Sequence, residues 1–149
     1  MSTIQQDLDK IFDRANNLIA SAMNGPVLGE CMILLADAVE IGVYSQYTPH
    51  SCTGDEFYHR RKAAGGLKDP DQWLYILDSG SSDVHSISII DDRHEVGVVE
   101  SGEGYTWYYD NDTHIQAHPW PRPYFAIADE LVAPDATIDD AIQTALDMV

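Results

Sequence analysis

The residues of this chain whose types could do chemistry are six histidines, many carboxylates and one basic cluster. The histidines are His50, His59, His85, His94, His114 and His118. Zinc centres draw their ligands from fixed local spacings such as HExxH on a helix, and no such motif occurs. Only His114 and His118 have HxxxH spacing. That spacing faces one metal only on a helix, and Pro119 and Pro121 argue against a helix there. Asp91, Asp92 and His94 can gather around a divalent ion at a turn, but a solvated turn uses the same residues. His85, on the inward side of an alternating segment, reads as a hydrogen-bonded core histidine.

Carboxylates are paired at Asp55/Glu56, Asp91/Asp92, Asp110/Asp112 and Asp139/Asp140, as chance alone arranges with 25 acids in 149 residues. A general acid needs burial or a like-charged neighbour to raise its pKa, and the sequence shows neither setting. GxSxG, a phosphate loop and a defensible Cys/His pairing are all missing. Cys31 sits in an apolar helical pattern and reads as buried and reduced. Cys52 sits in a polar loop and reads as a spectator thiol; without CxxC spacing the two carry no metal or redox signature. The expectation is a protein that is not an enzyme, with no catalytic residue, no metal and no cofactor.

Charge is the strongest compositional fact. Twenty-five acids face eight bases, for a formal net charge of −17. Such a surface repels free nucleic acid and acidic membranes. No uncharged apolar run reaches the ~20 residues of a membrane span. The longest, 26–44, is broken by Glu30, Asp37 and Glu40. The start has neither a basic segment nor an apolar signal core, so secretion is not expected. Half of the bases, Arg60, Arg61, Lys62 and Lys68, lie within nine residues. Three uses are open to them: ion pairs with nearby acids such as Asp55 and Glu56, contact with an acidic neighbouring copy, or contact with phosphate. Unlike patches on identical copies fix register, and a head-to-tail contact closes into a ring or grows a filament. The aromatics concentrate in 105–109, with Trp107 and Tyr108, and in 120–125, with Trp120. They serve either the core or a partner surface, where Tyr and Trp dominate the anchors.

The elements that must position these residues read as an α+β fold in one domain, 1–149. Ser2 and Gln5 form a plausible capping box. Ile4, Leu8, Ile11, Phe12, Ala15, Leu18, Ile19 and Met23 then line one helix face, ending at Asn24-Gly25-Pro26 with Gly25 as a left-handed cap. A second helix, about 26–44, is apolar nearly all round, so it is buried by its own fold or by neighbouring subunits. Residues 45–72 lack periodicity and read as a long ordered loop or arm. Segments 72–77, 84–90 and 95–100 read as strands, with a hairpin turn at 91–94; 105–109 and 114–117 are short further strands. Together they predict a small, mostly antiparallel sheet over 72–117. Pro119 to Pro123 is rigid and extended. Two C-terminal helices follow. The first, with Tyr124, Ile127, Ala128, Leu131 and Val132, ends at Pro134. The second is capped by Thr137 with Asp140 in the boxed position, and its stripe is Ile138, Ala141, Ile142, Ala145, Leu146 and Val149, so a docked C-terminus is expected.

This order of features resembles the neck and minor tail proteins of long-tailed bacteriophages, the head–tail connecting and tail-completion proteins. The likeness rests on Val43-Tyr44 at a helix end, Tyr47-Thr48-Pro49, Tyr58, Arg60-Arg61 and Gly66-Leu67 with Asp69. It continues with Val98-Val99-Glu100-Ser101-Gly102, Gly104-Tyr105 and Arg122-Pro123-Tyr124-Phe125, where Arg-Pro-Phe is usual. It implies a hydrophobic strand ending in Glu-x-Gly and a ring of identical subunits, often six, that meets neck and tail proteins. DNA would pass through that ring without specific binding, the protein residing in the virion and in the host cytoplasm during assembly. On this resemblance Arg60, Arg61 and Arg122 are candidate subunit or neck contacts, with Lys62, Lys68, Trp107, Tyr108 and Trp120 beside them; Arg122 can instead cap carbonyls or pair locally. A different class also fits the charge: an acidic DNA mimic or inhibitor that occupies a basic site on a host enzyme.

Overall fold

The computed structural model describes residues 2–46, 62–81, 84–101, 108–110, 113–115 and 121–149. The fold is α+β. The chain opens with α1 (Ile4–Ala22) and continues into α2 (Leu28–Val39). The capping box is Thr3/Gln6, one residue later than expected: Gln6 N donates to Thr3 Oγ1 at 3.2 Å and Thr3 N to Gln6 Oε1 at 2.9 Å. Ser2-Thr3 and Gln5-Gln6 offer the same chemistry in both registers, which is why the pattern alone chose wrongly. The helix does not stop at Asn24-Gly25-Pro26. A π-turn, Met23–Val27, carries the spiral through, and a second, Glu40–Tyr44, follows α2. A π-turn shifts the hydrogen-bond ladder by one residue, which accommodates the missing N–H of Pro26. Gly25 therefore does not take the left-handed backbone, which among the described residues is confined to Lys62 and Gly65.

The chain divides into two compact units: Met1–Met32 with Leu74–Ile90 and Val132–Val149, and Ile33–Trp73 with Asp91–Leu131. In the first unit, β1 (Leu74–Ser81) and β2 (Val84–Ile90) form an antiparallel pair with Leu74 opposite Ile90 and Leu77 opposite Ile87. Along β2, His85, Ile87 and Ile89 are half-buried while Ser86 and Ser88 are exposed, the two-residue period the sequence predicts. The C-terminal helix of the chain, Ala136–Asp147, packs on α1 and on the Met23–Val27 turn, closing a core of Ala22, Val27, Leu28, Ile138 and Ala145. Its cap is Asp135 rather than Thr137: Ile138 N donates to Asp135 Oδ1 at 2.9 Å. Asp135 has the extended backbone of an N-cap, which lets its side-chain oxygen reach a free amide of the first turn. Thr137 lies inside the first turn. At the other end Leu146 and Val149 are exposed, although Met148 O accepts from Arg14 Nη2 at 2.8 Å.

The second unit holds the rest of α2, the turn Pro70–Gln72, α3 (His94–Ser101), the antiparallel pair β3 (Tyr108–Asp110) and β4 (Thr113–Ile115), and α4 (Tyr124–Val132) up to Leu131. The Ala136–Asp147 helix is thus α5. Leu35, Val39, Val43, Trp73, Val96, Tyr124 and Ala128 are buried here. Gly42 lets the Glu40–Tyr44 turn approach α4 closely: a Cβ there would lie 2.5 Å from Ile127 Cδ1 and 3.6 Å from Tyr124 Cβ. Two expectations are corrected. Among the described residues the strands of 72–117 form not one sheet but two two-stranded sheets. The segment 95–100 is helical, although Val96, Val98 and Val99 favour strands. Arg93 O accepts from Val96 N at 3.1 Å and from Gly97 N at 3.4 Å, starting a helical turn where the sequence suggested a hairpin. Tertiary placement of Arg93 overrides a propensity difference that is small per residue.

Candidate functional site

The second unit concentrates its charge chemistry on a short ordered loop, 62–69. Lys62, at φ 50°, and Gly65, at φ 82°, turn the backbone so that Lys68 N donates to Lys62 O at 3.2 Å and Asp69 N to Gly66 O at 3.1 Å. Asp69 is buried, and its carboxylate ties the loop to the next turn. It accepts from Gly65 N at 2.8 Å and from Asp71 N at 3.0 Å. Arg93 closes the arrangement. Its guanidinium grips Asp91 with two contacts, Nε–Oδ1 at 2.8 Å and Nη2–Oδ2 at 2.6 Å. It also donates to the carbonyls of Gly65 and Gly66, each at 3.0 Å. Asp91 has a fully buried side chain, so this is a desolvated fork rather than a surface pair. The hydrogen bond it donates to Asp91 holds the Arg93 guanidinium above its ordinary pKa, against the opposing effect of burial. Of the residues expected in a solvated turn at 91–94, Asp92 and His94 are exposed, while Asp91 is buried in this fork.

Of the basic cluster, Lys68 makes a local salt bridge to Glu40 Oε2 at 2.6 Å, with its ammonium 5.4 Å from the centre of the Tyr44 ring. Lys62 is exposed. Arg60 and Arg61 lie outside the described residues, as do Trp107 and Trp120. Tyr108 is on β3. Arg122 is buried, at 7 % exposure, and its backbone N–H donates to Val99 O at 2.9 Å. One turn on, Phe125 N donates to Glu100 Oε1 at 3.0 Å, so a carboxylate sits on the free amides opening α4. Burial pushes the Glu100 carboxyl above its ordinary range, while the amides at Phe125 and Tyr124 hold it down. Tyr124 is fully buried and its phenol is pushed far up by desolvation, so it stays neutral. The structure thus brings Val99-Glu100 and Arg122 to Phe125 together, and separately brings Lys68 to Glu40 and Tyr44.

Among the described residues, no three or more His, Cys, Asp or Glu side chains gather as a metal site would require. His85, in the first unit, has its Nε2 3.2 Å from Asn16 Oδ1, in keeping with a hydrogen-bonded half-buried histidine. Cys31 is a half-buried free thiol, its pKa raised by burial first and then by Asp135 and Glu30. Sequence reasoning missed Arg93, Asp91 and Asp69 as the residues that build this unit. The available signal was Asp-x-Arg in a chain with only eight bases, where a base beside a buried acid is seldom idle. No helix among the described residues is long and apolar enough to cross a membrane. Comparison with protein-family models, with characterised proteins and with solved structures finds no match.

Proposed function

We propose that the protein is a structural virion component of a tailed phage, a neck or tail-completion protein. It assembles with its own copies in a ring and with neighbouring connector and tail proteins around the DNA channel, without cofactor or turnover. The observation that carries this reading is the junction of the two segments on which the phage resemblance rests. Val99-Glu100 and Arg122 to Phe125 are far apart in sequence, yet two backbone amides of the second segment bond to the first, at 2.9 and 3.0 Å. The first segment is helical here, so what supports the reading is the pairing of the segments and not the strand form. The net charge of −17 suits a channel protein, because a negative lumen does not trap phosphate. Exposed Lys62 is available to a neighbouring copy, whereas Lys68 is already engaged with Glu40.

The test is genetic and structural. Particles made without this protein should accumulate as unjoined heads and tails or carry aberrant tails, and tagged protein should copurify with virions. Normal, infectious particles in its absence overturn the reading. A tight, steeply salt-dependent complex with a DNA-binding host enzyme would favour the DNA-mimic alternative instead.

A further inference from the structure

The apolar stripe of α1 is only half covered by its own unit. Ile4, Leu8, Ile11, Ala15, Leu18 and Ala22 advance by alternating steps of four and three, the spacing of a coiled-coil seam. From Ala15 onward the stripe is half-buried or buried, under α5. Before it the stripe is bare, with Ile4 82 % exposed, Leu8 41 % and Ile11 51 %, and Phe12 beside it is 61 % exposed. The bond from Arg14 to Met148 O places the end of α5 beside Arg14, so α5 leaves the preceding turns uncovered. A chain this acidic does not need four large apolar side chains in water along one helix edge for solubility.

Charge identifies the occupant. Asp7 and Arg14, one heptad apart, flank the stripe on the same edge, while Gln5 and Phe12 flank the other. When two such helices pack antiparallel, each edge meets its own kind reversed, so Asp7 of one faces Arg14 of the other, twice. Parallel packing sets the Asp7 edge against the Phe12 edge and leaves both charges without a mate. We propose that the bare half of α1 binds a second copy of this chain: the two α1 helices pack antiparallel, Leu8 of each against Ile11 of the other, with reciprocal Asp7–Arg14 pairs. The contact is two-fold and isologous, unlike the head-to-tail contact of a ring. It follows from the first unit alone and does not rest on the virion reading. It is short for a stable interface, and the net charge opposes it, so the dimer is weak and concentration-dependent.

The experiment is sedimentation of the purified full chain over a concentration series to about 1 mM, where a contact of about −4 kcal/mol is still half-formed. At about 0.15 M ionic strength the Debye length is about 8 Å, so the adjacent pairs still act while distant repulsion is screened. A monomer–dimer equilibrium is expected. Phe12→Asp should weaken it by more than about tenfold with helix content unchanged, since the site is exposed. Asp7→Arg and Arg14→Asp should each weaken it, and the double exchange should restore it to within about threefold of the original. Asp7 is exposed and only 3.7 Å from Lys10, so Asp7→Arg with Phe12→Asp still decides the matter if losing the Arg14–Met148 bond perturbs the fold. A monomer at every concentration overturns the proposal, as does association of any stoichiometry that ignores Phe12→Asp. A double exchange that keeps the parent's helix content and is no better than its single parents also overturns it. Intact infectivity without the protein would remove the virion reading and leave these outcomes untouched.

Discussion

The two units use their polar residues in opposite ways. The second buries Asp69, Asp91 and Arg122 and ties its loop, α3 and α4 with charged side chains. Among the described residues of the first unit every buried one is apolar, and its cross-element polar ties include His85 to Asn16 and Arg14 to Met148. It also leaves large apolar side chains bare on α1 and on the outer face of β1 and β2, where Leu74, Ile76 and Ile90 are exposed. Buried charged ties of this kind fix the elements they join, although among the described residues the same unit also buries Trp73 Nε1 and the Tyr124 hydroxyl without a hydrogen-bond partner. A unit with uncovered apolar faces has area to give to a partner. The contrast can be read in solution, because Trp73, Trp107 and Trp120 all fall within the residue ranges of the second unit. Tryptophan fluorescence reports on that unit, and far-ultraviolet circular dichroism reports on both.

The sharpest break is Asp91→Ala. It strips the partner from a guanidinium that is itself largely buried, and removing one member of a buried pair costs about 3–5 kcal/mol. Urea unfolding followed by tryptophan fluorescence should show the whole loss. A change below about 1 kcal/mol would mean the fork contributes no more than a surface pair. Next is Gly42→Val. The Cβ meets Ile127 Cδ1 at 2.5 Å, which can turn aside, but it also lies 3.8 Å from Tyr124 Cα, so two further methyls must find room beside the α4 backbone. Overpacking of this kind costs about 1–3 kcal/mol, again in the tryptophan signal. Asp135→Ala acts on the first unit instead. Losing the α5 cap costs about 1 kcal/mol, and it should appear in the circular dichroism transition with the tryptophan transition less affected. Coincident shifts of equal size in both probes would show that the two units unfold as one.

How much of this was legible in the sequence differs between the units for the same physical reason. The first unit is built on periodicity, and periodicity is written in the chain: α1, the exact bounds of β2 and the α5 stripe all followed from it. Its errors were caps displaced from Ser2 to Thr3 and from Thr137 to Asp135, where neighbouring residues offer equivalent chemistry, together with a left-handed stop at Gly25 that does not form and a chain end whose Leu146 and Val149 are exposed. In the second unit the decisive interactions join residues about 25 positions apart, Arg93 to Gly65 and Glu100 to Phe125. Nothing local announces them. Val96, Val98 and Val99 spoke for a strand, and a guanidinium anchored at Asp91 decided otherwise. The placement of Lys68 was half legible: a local ion pair was among its possible uses, but Glu40 as its mate was not foreseeable from Asp55 and Glu56.

The smallest effect tests the electrostatics of the α4 start. Burial raises the folded-state pKa of Glu100 above the ordinary value of 4.5, outweighing the amides that favour its charged form. As pH rises through the ordinary carboxylate range, the unfolded chain releases this proton before the folded one does. The contribution of Glu100 to stability is therefore fully present below that range and is lost as pH rises through the higher folded value. Glu100→Gln keeps an oxygen for the Phe125 amide and removes the titration. The variant should match the parent chain near pH 4 and gain on it by less than about 1 kcal/mol towards pH 7, read as the difference between paired urea curves. The many other acids titrate alike in both proteins and cancel in that difference. A difference that does not change with pH would mean that the amides, not burial, set the charge of Glu100. The second unit would then hold that carboxylate as comfortably as it holds Asp91.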